Sequence, residues 1–201
     1  KWIVEGANLF ITQDARMKLE EHGIKIFKDS STNKGGVTSS SLEVISGLLL
    51  DDDEYMREMT CDEKKSIPPF RKKYIEEIKR IVRRNADAEF EIMWKLHAET
   101  GRSLIVLSDV LSESINKISR EIEKSDLFSD IKMRRNVLSK SIPSILIEKV
   151  GGMDKVMRRM PLNYQKALFA KSSAANFIYE YGINYSLEDY RKYVNTRLKG
   201  A

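Results

Sequence analysis

Trp2-Ile3-Val4-Glu5-Gly6-Ala7-Asn8 and Gly23-Ile24-Lys25-Ile26-Phe27 are the two stretches whose reading decides the fold. Each contains a short run of β-branched and aromatic residues beside a glycine, the pattern of a strand at a turn. Between them lies a helical segment with Thr12 as N-cap, Ala15, Met17 and Leu19 as apolar positions, and Gly23 as the stop. Strand, helix and strand in this order make a βαβ-like unit over about residues 1–36, with parallel strands. Loops that follow parallel strands are where such folds place ligands.

Downstream, Asp29 to Gly36 is polar and glycine-containing and reads as a loop. From Thr38 a helix is expected, with Leu42, Ile45, Leu48 and Leu49 on one face. The charge then switches: residues 51–63 hold seven acidic side chains and one basic, residues 64–84 nine basic and two acidic. A connection is expected near Ile67-Pro68-Pro69, which divides the chain into residues 1–50, a connection at 51–69, and an all-α region at 70–201.

In that last region helical spacing runs almost throughout. Tyr74, Ile75, Ile78, Ile81 and Val82 come first, then Ala88, Ile92 and Leu96. A helix from Ser103 to about Lys124 carries Leu107, Leu111, Ile115, Ile118 and Ile122 on one stripe. Shorter helices break near Pro143, Gly151-Gly152 and Pro161, and a final pair spans Asn163 to Tyr181 and Leu187 to Leu198. The piece is expected to be mainly helical.

The bulk properties set wide bounds. With 41% hydrophobic and 32% charged residues in 201, the chain has enough apolar surface for a folded core. Its net charge of +5 is spread over 35 basic and 30 acidic side chains, which dilutes any attraction to phosphates. A single cysteine, Cys61, excludes an intrachain disulfide and fits a reducing, intracellular setting, cytoplasmic or mitochondrial. No apolar stretch near the start suits a signal peptide, none a membrane span, and no membrane partner is expected. Lys1 running directly into a strand suggests a chain that begins inside a domain.

Two loops carry the candidate chemistry. In Glu5-Gly6-Ala7-Asn8, Gly6 lets the backbone approach a ligand and the Asn8 amide both donates and accepts, as a carboxamide partner needs. In Asn33-Lys34-Gly35-Gly36-Val37 a second amide precedes a helix start, whose free N–H groups favour anions. Ser40 lies within the first turn. Taken singly, such turns are more often structural than functional.

In combination they are more specific. Ile3-Val4-Glu5-Gly6-Ala7-Asn8, Thr12, Gly23-Ile24, Asp29, Asn33, Gly35-Gly36-Val37, Ser40 and Glu43 follow in order the pattern of the glutamate dehydrogenase family, which this chain resembles. The run Asn8-Leu9-Phe10-Ile11-Thr12-Gln13, Lys34 in place of a small residue, and Asn163-Tyr164-Gln165-Lys166-Ala167-Leu168-Phe169-Ala170 resemble the large fungal-type NAD-specific enzymes.

The resemblance implies a remnant of a Rossmann-like NAD-binding domain ahead of the helical region. It implies NAD as cofactor, with Asn8 beside the nicotinamide ribose, Asn33 on the nicotinamide carboxamide, and Gly6 in the same turn. It implies L-glutamate and 2-oxoglutarate as substrates, with Ser40 helping to hold the side-chain carboxylate and Val37 lining the pocket. It also implies a homo-oligomer. The family's catalytic lysine and aspartate, its substrate-binding lysines and its glycine-rich phosphate turn all fall upstream of this chain, which alone is expected not to turn over.

Other features have plainer readings. His22 and His97 lack ligands at metal spacing, so no metal is expected, and His22 reads as a helix-end residue. Cys61, beside Asp62 in a polar connection, reads as a bystander. The basic helix at 71–84 offers an alternative function, a non-enzymatic module binding nucleic acid or a protein, although a solvated helix or subunit contact explains it as well. Trp94 and the group Phe177, Tyr179, Tyr181 and Tyr185 are assigned to packing. The helical region could also serve regulation or assembly.

Overall fold

The computed structural model describes residues 1–61 and 66–197, with the side chains of 195–197 left out of account. Asp62 to Lys65 of the charge switch, and Leu198 as the expected end of the last helix, lie outside the described residues.

Strand β1 (Trp2–Val4) pairs in parallel with β2 (Lys25–Phe27), in the register Trp2 to Lys25, Ile3 to Ile26 and Val4 to Phe27. Helix α1 (Gln13–Glu21) joins them. Its start is fixed by the Thr12 hydroxyl, which accepts from the Ala15 N–H at 3.3 Å, and its end by Gly23 at φ +76°. Both signals are those the sequence carries, and the strand–helix–strand order stands.

The polar stretch after β2 is more ordered than its composition suggests. It forms a single turn, α2 (Asp29–Thr32), and then α3 (Lys34–Leu49) starts four residues earlier than Thr38. Glycine costs a helix little in its first turn, where the N–H groups have no intrahelical acceptor anyway, so Gly35 and Gly36 do not delay the start. The Ser39 and Ser40 hydroxyls both donate to the Gly36 carbonyl, and Ser41 to that of Val37.

Helix α4 (Asp52–Met59) begins with a capping box in which Asp51 and Glu54 satisfy each other's backbone N–H groups. Helix α5 (Pro69–Thr100) is a continuous 32-residue rod that starts on Pro69 and ends at Gly101 in the left-handed conformation. Then come α6 (Leu104–Lys124), α7 (Ile131–Ser141), α8 (Ser144–Val150), α9 (Met153–Arg159), α10 (Leu162–Tyr181) and α11 (Leu187–Arg197). The breaks fall where Pro143, Gly151-Gly152 and Pro161 announce them. Among the described residues no helix is long and apolar enough to cross a membrane.

One continuous core joins these parts. The stripe Leu107, Leu111, Ile115, Ile118 and Ile122 of α6 is buried and packs against α10, which contributes Phe169, Ala170, Ala174 and Phe177. Phe177 in turn centres a group of rings from Tyr181, Tyr185, Tyr190 and Tyr193, with centroids 5.3–5.5 Å away. Leu42, Ile45 and Leu49 of α3 close on α5, where the buried Tyr74 hydroxyl donates to the Leu42 carbonyl at 2.7 Å.

The residues that follow β2 dock on α6 through polar contacts. Ser31 reaches the buried Ser108 hydroxyl at 2.5 Å, and Lys28 pairs with Asp109. Replacing Phe177 by Ala leaves a cavity in this core and should cost about 3–5 kcal/mol, read as a lowered urea midpoint. Met56→Ala, on an exposed face of α4, should change stability by less than about 0.5 kcal/mol.

Candidate functional site

The C-terminal ends of the two strands are held by three ionised side chains removed from water. Glu5 follows β1, Asp29 follows β2, and Arg16 projects from the middle of α1 between them. Arg16 donates to both Glu5 carboxylate oxygens, from Nε at 2.8 Å and Nη2 at 2.5 Å, and Nη2 lies 3.3 Å from Asp29 Oδ1. Such a two-pronged pair adds geometric definition to its Coulomb attraction. The guanidinium beside Glu5 holds that carboxyl below the usual glutamate range. Asp29 is held low chiefly by the N–H of Leu9, then by that of Ser30 and by the Arg16 charge.

These contacts shape the loop that follows β1. Asp29 Oδ2 accepts the Leu9 N–H at 2.7 Å, which keeps Leu9 at φ +56°, a left-handed conformation that disfavours a branched residue by about 1–2 kcal/mol. Thr32 donates its hydroxyl to the Glu5 carbonyl, and the Glu5 N–H extends the strand ladder to the Phe27 carbonyl at 3.0 Å. The loop is thereby folded back over α2. Asn8 and Asn33 meet at its end, with Asn33 Nδ2 donating to Asn8 Oδ1 at 2.8 Å.

Of the residues singled out in the sequence, Asn8 and Asn33 are thus brought together. Gly6 sits exposed in the turn between Glu5 and Asn8, with open space on the side a Cβ would occupy. Val37 and Ser40 lie one and about two turns beyond Asn33 on α3, both exposed, and no hydrogen bond joins either to the amide pair. The Ser40 hydroxyl is turned back onto its own helix, 2.9 Å from the Gly36 carbonyl.

Helix α3 is tied at its start to the helical region. Lys34 donates to the Ser30 carbonyl at 2.8 Å and forms an ion pair at 2.6 Å with the buried carboxylate of Glu89 on α5. Glu89 also accepts the Tyr179 hydroxyl of α10 at 2.7 Å, and burial together with that carboxylate pushes the Tyr179 phenol far up. His22 caps α1, with its ring nitrogen 2.7 Å from the Lys18 carbonyl. Among the described residues no three His, Cys, Asp or Glu side chains cluster as a metal site requires. Arg71, the first of the basic run on α5, donates to the Met59 carbonyl and to the exposed Cys61.

Sequence reasoning missed Arg16, Glu89 and the roles of Glu5 and Asp29. The only signal for the triad is the placing of one acid after each strand and one arginine within the helix that joins them. Arg16→Gln leaves two buried carboxylates without their cation and should destabilise by about 3 kcal/mol in urea unfolding at neutral pH. Because the Glu5 pKa is depressed in the folded state, its contribution is full above about pH 4.3 and fades as pH falls through the folded value. The stability gap between the unaltered chain and Glu5→Gln should therefore narrow on acidification below about pH 4.

The chain is 42% identical over 197 residues to the NAD-specific glutamate dehydrogenase of Neurospora crassa, covering 98% of this chain and 19% of that protein. It is 44% identical over 194 residues to glutamate dehydrogenase 2 of Dictyostelium discoideum, and 38% identical over 196 to the NAD-specific glutamate dehydrogenase of Saccharomyces cerevisiae. In each of those two it covers 96% of this chain and 18% of the relative, so it spans about a fifth of the length of the relatives it matches. No solved structure matches it significantly. The model of the glutamate/leucine/phenylalanine/valine dehydrogenase family matches residues 1–101, half of the chain, and to that family the chain belongs.

Proposed function

We propose that the chain forms one wall of the nicotinamide and substrate site of an NAD-dependent glutamate dehydrogenase, which oxidatively deaminates L-glutamate to 2-oxoglutarate and ammonium. The observation that carries the reading is the Asn8–Asn33 amide pair at the ends of two parallel strands. The bond between them uses Asn8 Oδ1 and one N–H of Asn33, which leaves both N–H groups of the Asn8 amide and the Asn33 carbonyl outside it. A donor and an acceptor side by side complement a primary carboxamide, the group nicotinamide carries. Bound NAD supplies the acceptor for the hydride from the substrate's α-carbon.

The chain's own contribution is to position and select. The ion triad holds Asp29, whose carboxylate fixes Leu9 next to Asn8, and the Gly6 turn leaves the backbone open to close approach. Ser40, about 10 Å along the helix axis from Asn33, presents a hydroxyl to a carboxylate once it releases the Gly36 carbonyl, with Val37 beside it. A hydroxyl there suits glutamate and is wasted on an apolar side chain.

The wider reading has residues 1–50 as the distal edge of a Rossmann-like domain, 51–69 as a connection, and 70–201 as a helical region for assembly into a homo-oligomer inside the cell. Trp2 and Val4, two apart on one face of β1 and exposed, support a further layer packed over that face. The measurement is glutamate-dependent NAD reduction by the full-length protein bearing this chain. Ser40→Val should lower kcat/KM for glutamate by about 10- to 100-fold, and Asn33→Ala that for NAD by a similar factor. Unchanged kinetics in both folded variants would sink the assignment.

A further inference from the structure

A cleft lies on the inner side of α3, bounded by α3, α5, α7 and α10, with a volume of about 290 Å³. Its polar lining includes Lys34, Arg84, Lys140 and Lys171, the amides Asn85 and Asn176, and serine and threonine hydroxyls; no acidic side chain lines it. The floor is aliphatic, formed by Leu42, Ile45, Ile81, Leu168 and Ala175.

The charges do not cancel. Lys34 is neutralised by Glu89 behind the wall. Arg84 and Lys140 have no ion pair or hydrogen bond among the described residues, and Lys171 donates only to the neutral Asn116 amide at 2.6 Å. Lys140 sits in the last turn of α7, where the helix dipole offsets about half a unit charge. Three cations against that half charge leave the cleft net positive. Burial and the nearby Lys34 charge lower the Lys171 pKa, as expected of an ammonium with no anion to hold.

The geometry points to this cleft as a binding site for a small polyanion with two or more negative charges, a polycarboxylate or a phosphate compound. Cations on three helices converge on a space too small for a nucleotide to bury its base, and the only ring in the lining, Tyr179, is engaged by Glu89. The site is distinct from the proposed glutamate contact. Ser40 does not line it and faces roughly a third of a turn away, while Val37 borders both faces. Occupancy would draw α7 and α10 toward the start of α3.

Calorimetric titration of the protein with citrate and with inorganic pyrophosphate, at ionic strength held constant with sodium chloride, tests the site without NAD, glutamate or turnover. At least one anion should bind with a 1:1 stoichiometry. Arg84→Gln/Lys140→Gln, both exposed side chains, should weaken it by about tenfold or more, while Lys95→Gln elsewhere on α5 leaves it unchanged. Preference for citrate or for pyrophosphate assigns the anion to the carboxylate or the phosphate class. Binding of neither above chloride, or equal affinity in the double variant, overturns the proposal.

Discussion

Everything at the strand ends depends on one buried arginine. Arg16 could not leave water without anionic partners, and Glu5 and Asp29 could not approach each other without Arg16. The three are therefore mutually obligatory, and because each comes from a different segment, satisfying them fixes the relation of β1, α1 and β2 more sharply than a three-residue strand pairing does. The unfavourable backbone at Leu9 and the meeting of Asn8 with Asn33 both follow from that arrangement.

Much of the architecture is legible in the sequence because its signals are local. Thr12, Gly23, Ser103, Pro143 and Gly151 each mark a helix end by their own conformational or capping chemistry, and the α6 stripe declares its buried face through spacing alone. Spacing does not do the same for α1: of its apolar positions Met17 is 38% exposed, and Arg16 is the buried residue. A nine-residue helix has too few positions for periodicity to outweigh one charge whose partners lie eleven and thirteen residues away. The start of α3 is hidden for a related reason, since glycines that read as loop formers are harmless in a first turn.

The candidate site was legible as a set of residues and not as a geometry. Gly6, Asn8, Asn33, Val37 and Ser40 stand out through their resemblance to a family pattern, while the bond between the two amides is visible only in three dimensions. Their supporting residues were not legible at all. Glu89 reads as one more charge on a long polar helix until Tyr179 and Lys34 are seen to close over it from α10 and α3.

The ion pair of Lys34 bears on modularity. A cation at the first position of a helix opposes the dipole, and α3 has no side-chain cap at Asn33 to compensate. Its start is tolerable because the Lys34 ammonium leans away to a counterion on α5. Residues 1–50 grafted onto another scaffold would carry the lysine without its carboxylate, and the helix that displays Asn33 would fray from the end that matters. The start of α3 and the long rod behind it are thus coupled through that one pair.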